Sequence, residues 1–484
     1  MEIGSKIYMK ILILSSSIPP YIDNPGSTQR VVLFCKYLIH KEYSVGLVGS
    51  TRTGAKDSKV IWWEDYLDKV KIFPLVPGKY LNYIDGLRKK IISKKKKNAL
   101  CNYQEKHNTL KNKDKIEKCF FCLFKIFFNL IKKIFNNILL FGDDGIFEIP
   151  DLKKHLNRVM KTFKPDVIIV SVPYHSWLTI IPWLKRKYPS LSLFIDFRDG
   201  WTSRGIFRAS TLIGKYWQDY IEKKLILSAK GIIFVSPGLK EFYCKKYKDN
   251  LPCYEIVLNG YNEILWKNME LKKTTKNVLT EKHKQCIIKY IGSIGFNIKS
   301  FRSPYNIFLA LESCLKKGII SSSDFILSFT GNTGNTEILN NFPLLRPMIR
   351  INNLVSPLNA LKEMKTADFL LSIYKEKKGA EEVLTGKIFD YLRAGKPILA
   401  ITTENCGIKK FLEKLDLGIW MDINDIENIS KKFVDILKIF KSNSWNEWCK
   451  KNTLTLSDIK EYSREYQYQK YEKFIEKIVN KNNK

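Results

Sequence analysis

The chain has 484 residues, 82 Lys+Arg against 48 Asp+Glu for a formal charge of +34, and 45% hydrophobic residues. That apolar mass excludes a disordered chain, and the length suits about two or three domains. The charge points to nucleic acid, an acidic membrane surface or phosphate groups, or to general lysine enrichment; only its local distribution separates them.

Lys10–Ser15 is an apolar run that predicts a first strand, with Met9 as an alternative start. The stretch Ile11–Ile18 is too short for a secretory signal core and leads into Pro19, Pro20 and Gly26, not a cleavage site. Helical spacing over Gln29–His40 and a second apolar run at Tyr43–Gly49 complete a strand–loop–helix–strand unit. Residues 88–140 break this pattern with 15 Lys/Arg against three acids. Within them Lys118, Lys125, Asn129, Lys132 and Asn136 fall on one helical face opposite Phe120, Phe124, Phe127, Ile131 and Phe135. That pattern, with the polybasic Lys94–Lys97 upstream, predicts contact with an anionic membrane surface, an ordinary packed surface helix being the alternative.

The βα alternation resumes at Asp166–Ser171, Ser192–Asp196 and Gly231–Ser236. A second series runs through Cys286–Ile291, Phe325–Thr330, Phe369–Ile373 and Pro397–Ile401. The expected organisation is a first α/β domain over 1–262 and a polar linker over 263–285. A second α/β domain over 286–455 follows, then a terminal segment, 456–484, that packs back on the first domain. Ten cysteines are scattered without a disulfide framework, and Cys119 and Cys122 read as buried thiols, not a zinc or redox pair. No run of about 18 apolar residues occurs, so the expectation is a cytoplasmic protein with peripheral membrane contact at most.

The chemistry concentrates in Gly379–Pro397. Thr385-Gly386-Lys387 opens a helix whose free N–H groups and dipole suit a phosphate, with the Lys387 charge added. Glu382, just before it, suits sugar hydroxyls, and Asp390, one turn on, suits a ribose. His175, in a VPYHSW stretch after a strand, has both a substrate and a structural reading. Asp143-Asp144 lack a third ligand for a metal.

Glu382, seven residues, Asp390 and then Arg393-Ala394-Gly395-Lys396-Pro397 resemble the acidic motif of the retaining glycosyltransferases of family 4. Ile195–Trp201, reading IDFRDGW, is similar to the D-F-R-D-P-W branch of that family. Asn259-Gly260-Tyr261 and Tyr290–Ser293 with Arg302-Ser303-Pro304 resemble further segments of it. The resemblance implies an α/β GT-B fold, two doubly wound Rossmann-like domains facing each other across a cleft. It implies transfer from a nucleotide-sugar donor to a glycan or lipid-linked acceptor, with no cofactor and no metal. Gly26 and Ser27 match its first-domain diphosphate loop; Gly292, Ser293, Gly331, Thr385, Gly386 and Asp390 match its donor site; Glu382, Lys387, Arg302, Arg198 and Asp199 match its reacting centre. Three departures stand out: Asp390 for the second acid, Ser293 for a phosphate-binding cation, and Arg198 where many members carry a His. An epimerase or phosphorylase on the same fold, or a non-catalytic membrane scaffold, are the alternatives. The absence of a helix-turn-helix, zinc-finger or RRM-like pattern argues against nucleic acid.

Overall fold

The computed structural model describes residues 9–19, 21, 25–51, 69–76, 78, 143–205, 208–209, 211–271, 285–375 and 378–481. The basic segment 88–140, with Lys94–Lys97, Cys119 and Cys122, lies outside the described residues. The described chain forms two compact units, one from residues 9–232 and 250–253 and one from residues 233–249 and 254–481.

Seven strands make the first sheet: β1 (Lys10–Ser15), β2 (Ser44–Ser50), β3 (Lys71–Leu75), β4 (Val167–Val172), β5 (Ser192–Phe197), β6 (Gly231–Phe234) and β7 (Cys253–Ile256). Their order is β3-β2-β1-β4-β5-β6-β7, and the pairs from β3 to β5 are parallel. Order outward in both directions from β1 is the doubly wound pattern, with helices on both faces. Strands β4 and β5 are buried along their whole length, which explains their unbroken apolar runs. The helices of this unit are α1 (Pro25–His40), α2 (Ile149–Thr162), α3 (Ile180–Lys187) and α4 (Leu212–Ser228).

The second sheet has β8 (Cys286–Ile291), β9 (Phe325–Thr330), β10 (Ile349–Asn352), β11 (Phe369–Tyr374), β12 (Ile398–Thr402) and β13 (Ile419–Asp422). Their order is β10-β9-β8-β11-β12-β13, parallel throughout. Alternation along β11 feeds two cores. Leu371 and Ile373 join Phe308, Phe329 and Phe433 on one face, while Leu370 and Tyr374 join Trp266, Ile388 and Tyr391 on the other. The helices of the second unit are α5 (Pro237–Tyr247), α6 (Glu263–Leu271), α7 (Tyr305–Lys316), α8 (Pro357–Lys365), α9 (Gly386–Ala394), α10 (Gly407–Lys414), α11 (Ile426–Lys441), α12 (Trp445–Lys451) and α13 (Arg464–Lys481).

Two expectations about organisation differ from the structure. Residues 263–271, read as polar linker, form α6, with Trp266 and Met269 fully buried. Its two acids, Glu263 and Glu270, both grip the guanidinium of Arg393 on α9, at 2.7 and 3.1 Å. A helix that is polar outside and carries two apolar anchors looks like a linker to a composition count. Likewise α13 is tied to residues just before the expected boundary at 262. Gln467 Oε1 accepts from the Leu258 N–H at 2.8 Å, and Arg464 donates to the carbonyls of Asn259 and Gly260. Those residues belong to the second unit, so the boundary falls earlier in the chain. No helix of the described residues is long and apolar enough to cross a membrane.

Candidate functional site

The strand ends of the second unit are shaped by two glycines. Gly292 follows β8 at φ +127° and Gly331 follows β9 at φ +143°, a region closed to residues with a side chain. The Gly292 N–H donates to Thr330 at 2.8 Å, and a methyl group on Gly331 would lie 2.4 Å from the Gly292 carbonyl oxygen. A methyl on Gly292 would in turn meet the Lys387 ammonium at 3.1 Å. The lysine therefore lies directly over bare backbone.

Lys387 sits in the first turn of α9, its Nζ 3.7 Å from the centre of the Tyr290 ring. Among the described residues it has no hydrogen-bond or ion-pair partner, and neither does the Arg302 guanidinium. Burial first, and the Arg302 charge second, pull the Lys387 pKa well below the lysine range. Tyr290 is fully buried and donates to the Ser293 carbonyl at 2.8 Å, and burial pushes its phenol up to about 12. Thr385 caps α9 by backbone geometry alone, and its Oγ1 is buried without a partner. Two cations, a helix N-terminus and an unused hydroxyl thus converge where nothing negative from the described chain answers them. This is the arrangement an anionic ligand completes.

Glu382 ends a short 3-10 turn, Ala380–Glu382, that starts from Gly379 at φ +78°. The turn is clamped from two sides. Ser236 Oγ donates to the Glu382 carbonyl at 2.7 Å, and methyl groups on Gly238 or Gly407 would strike the Glu381 carbonyl oxygen at 1.9 and 2.6 Å. Tyr391 fixes the following helix, accepting from the Ile291 N–H at 3.1 Å and donating to the Leu371 carbonyl at 3.2 Å. These positioning residues were not among the sequence-predicted ones; Pro237-Gly238 directly after a strand was the signal available.

Gly292, Ser293, Arg302, Gly331, Thr385, Gly386 and Lys387 therefore gather around the ends of β8 and β9. Asp390 makes a contact within the unit that the sequence did not foretell. Its carboxyl accepts from Trp266 Nε1 at 3.3 Å inside the unit, and burial raises its pKa, against the pull of Arg464. The side chain the motif offers to a ribose is engaged by α6.

In the first unit, Gly26 and Ser27 lie in the first turn of α1, the helix that follows β1. Arg198, after β5, donates from Nε to the Val172 carbonyl at 3.2 Å and from its terminal nitrogen to the Pro173 carbonyl at 3.3 Å. Asp199 accepts from Arg204 at 2.7 Å, and its carbonyl meets His175 Nε2 at 3.0 Å. His175 is fully buried and stacked on Trp201, and burial lowers its pKa. The structural reading of His175 fits this placement. Asp143 caps the turn that follows it and accepts from the Ser176 backbone and hydroxyl. Among the described residues no group of three His, Cys, Asp or Glu side chains is placed to hold a metal ion.

Known structures share this architecture. A glycosyltransferase from Rickettsia africae matches with 14% identity and a TM-score of 0.56, over 98% of this chain and 99% of that one. An E. coli trehalose-6-phosphate protein bound with UDP-2-fluoro glucose matches with 10% identity and a TM-score of 0.60, over 96% and 98%. Sucrose-phosphate synthase from Thermosynechococcus elongatus matches with 12% identity and a TM-score of 0.53, over 98% and 97%. No family model matches the chain, and no curated protein matches it in sequence. The likeness spans both units and shows the fold: two Rossmann-like domains of the GT-B type.

Proposed function

We propose that the chain is a retaining, metal-independent glycosyltransferase of the family 4 kind, which uses a nucleoside-diphosphate sugar. The observation that carries this reading is the pair Lys387 and Arg302, unanswered by any acid of the described chain, beside the bare backbone of Gly292. Departure of the diphosphate develops negative charge, and fixed cations and N–H groups stabilise that charge most in the transition state. The bond between the anomeric carbon and the diphosphate oxygen breaks, and the acceptor hydroxyl oxygen bonds to the same carbon on the same face. Its proton goes to the leaving diphosphate. Glu382, 5% exposed on its clamped turn, orients the donor sugar through its hydroxyls. Three solved structures of this fold add context: the E. coli protein was bound with UDP-2-fluoro glucose, and an Anabaena protein was solved with UDP and with UDP plus glucose.

The acceptor we assign is a glycan or lipid-linked saccharide of cell-surface polysaccharide synthesis, handled at the cytoplasmic face of the plasma membrane. Residues 88–140 are proposed to contact that membrane. Arg198 and Asp199 are assigned to the acceptor side, with Arg198 held to backbone carbonyls as described.

A panel of nucleotide sugars, assayed for diphosphate release with extracted lipid acceptors, tests the reading; mass spectrometry then identifies the product. Glu382→Gln is expected to lower turnover at least about a hundredfold with little change in thermal stability. Unchanged turnover sinks the site assignment. Release of nucleotide with no glycosylated product favours the epimerase alternative.

A further inference from the structure

Helix α4 is built inside out. Up to residue 222 its inward face carries Gly214, Gln218 and Glu222, all buried, at i, i+4 and i+8, and only Leu225 and Ile226 near its end bury apolar side chains. Gln218 accepts from the Ala209 N–H at 3.0 Å, and Glu222 accepts from the Thr202 hydroxyl at 2.7 Å, so the buried polar groups are satisfied. The opposite face carries Leu212, Ile213, Tyr216, Trp217 and Tyr220, which are 82%, 74%, 70%, 50% and 42% exposed. Over residues 212–222 the helix packs polar groups inward and turns aromatic ones outward, the reverse of the usual pattern of a surface helix. The outer rings touch one another in series, Tyr216 to Trp217 and Trp217 to Tyr220, with edge-on geometry.

Charge indicates what covers this face. One turn further along the same side stand Lys223 and Lys224, both exposed, with Lys224 4.5 Å over the Tyr220 ring. The acid nearest the outer face, Asp219, is held by Arg208 through two contacts of 2.6 Å. Helix α3 packs alongside and ends in exposed Lys185, Arg186 and Lys187. Tyr and Trp with aliphatic neighbours and a cationic margin suit the headgroup layer of a bilayer, where rings sit at the interface and lysines meet anionic lipid.

We infer that α4 is an interfacial docking helix for an anionic lipid surface. It lies in the first unit and is separate in sequence from residues 88–140. The inference does not rest on the sugar-transfer reading, because vesicle binding is measured without donor or acceptor.

The test is sedimentation of the full chain with vesicles of phosphatidylcholine and phosphatidylglycerol, and with phosphatidylcholine alone. Wild type is expected to bind the anionic vesicles preferentially. The pair Ile213→Asn with Trp217→Ser, and separately Lys223→Glu with Lys224→Glu, should each lower the partition coefficient about tenfold. The pair Lys431→Glu with Lys438→Glu, exposed on α11, makes the same charge change elsewhere and should bind as wild type does. All variants keep residues 88–140 and should melt as wild type does, so the readout belongs to α4. Absence of wild-type binding, equal binding of wild type and the α4 variants, or equal weakening by the α11 pair overturns the inference. So does a concentration-dependent dimer in ultracentrifugation that Ile213→Asn with Trp217→Ser disrupts without any vesicle binding; that result gives the face to a protein contact.

Discussion

Arg198, Asp199 and His175 in the first unit, and Lys387, Arg302 and Gly292 in the second, all stand on loops or helix starts that follow parallel strands. Their surroundings differ. In the first unit the polar groups hold the backbone: Arg198 two carbonyls, His175 a third, Asp199 an arginine five residues on. In the second unit the cations face glycine backbone and one aromatic ring, with no acid of the described chain beside them. The same residue types thus do different work. An arginine whose donors are taken by its own fold stiffens a loop, whereas a lysine kept apart from acids is held for a ligand.

Four experiments press on this contrast. Lys387→Met should lower turnover about 10²–10³-fold, as loss of one preorganised charge stabiliser does, with little change in melting temperature. Arg198→Met should do the reverse, lowering stability by about 1–2 kcal/mol in urea titrations while turnover falls less. A collapse of turnover at unchanged stability in Arg198→Met would break the comparison. The third experiment concerns protons. In the free protein, burial and Arg302 pull the Lys387 pKa down, and a bound diphosphate should raise it again. At pH values between the free and the bound pKa, binding should therefore take up protons, and diphosphate affinity should weaken as pH rises through that window, by up to about tenfold per pH unit. Calorimetry in buffers of different ionisation heat measures the uptake directly; none, or release, contradicts the assignment. The smallest effect on turnover is expected from Trp266→Phe, which removes the donor to Asp390 and leaves a core cavity; stability should fall by about 2–3 kcal/mol, with turnover nearly intact. A large loss of turnover there would return Asp390 to direct ligand contact.

Much of the fold was legible because parallel strands buried on both faces have no polar alternation to hide: DVIIVS and SLFID could scarcely be anything else. That Gly292, Gly331 and Lys387 come together was legible for a similar reason, since a glycine at a strand end and a lysine in a helix's first turn have few places to go. The internal engagement of Asp390 was not legible. Its partner Trp266 lies 124 residues away, on a helix whose polar surface resembled a linker. Nor was the hold of α13 on residues 255–261 legible, because it lies about 200 residues later in the chain. Nor could periodicity show that α4 turns its aromatic residues outward, because spacing reports that a helix has two faces and not which one is buried.

The turn bearing Glu382 leaves no room for a methyl group at Gly238 or at Gly407. A saturation screen scored on product alone would therefore give these two positions the profile of reacting groups, intolerant of every replacement. Neither has a side chain with which to do chemistry. Their intolerance is the imprint of a neighbour's backbone, and it would vanish in a screen scored on the fold of the isolated helices. What such a map would display as two further members of the proposed active site is the mould in which one carboxylate is cast.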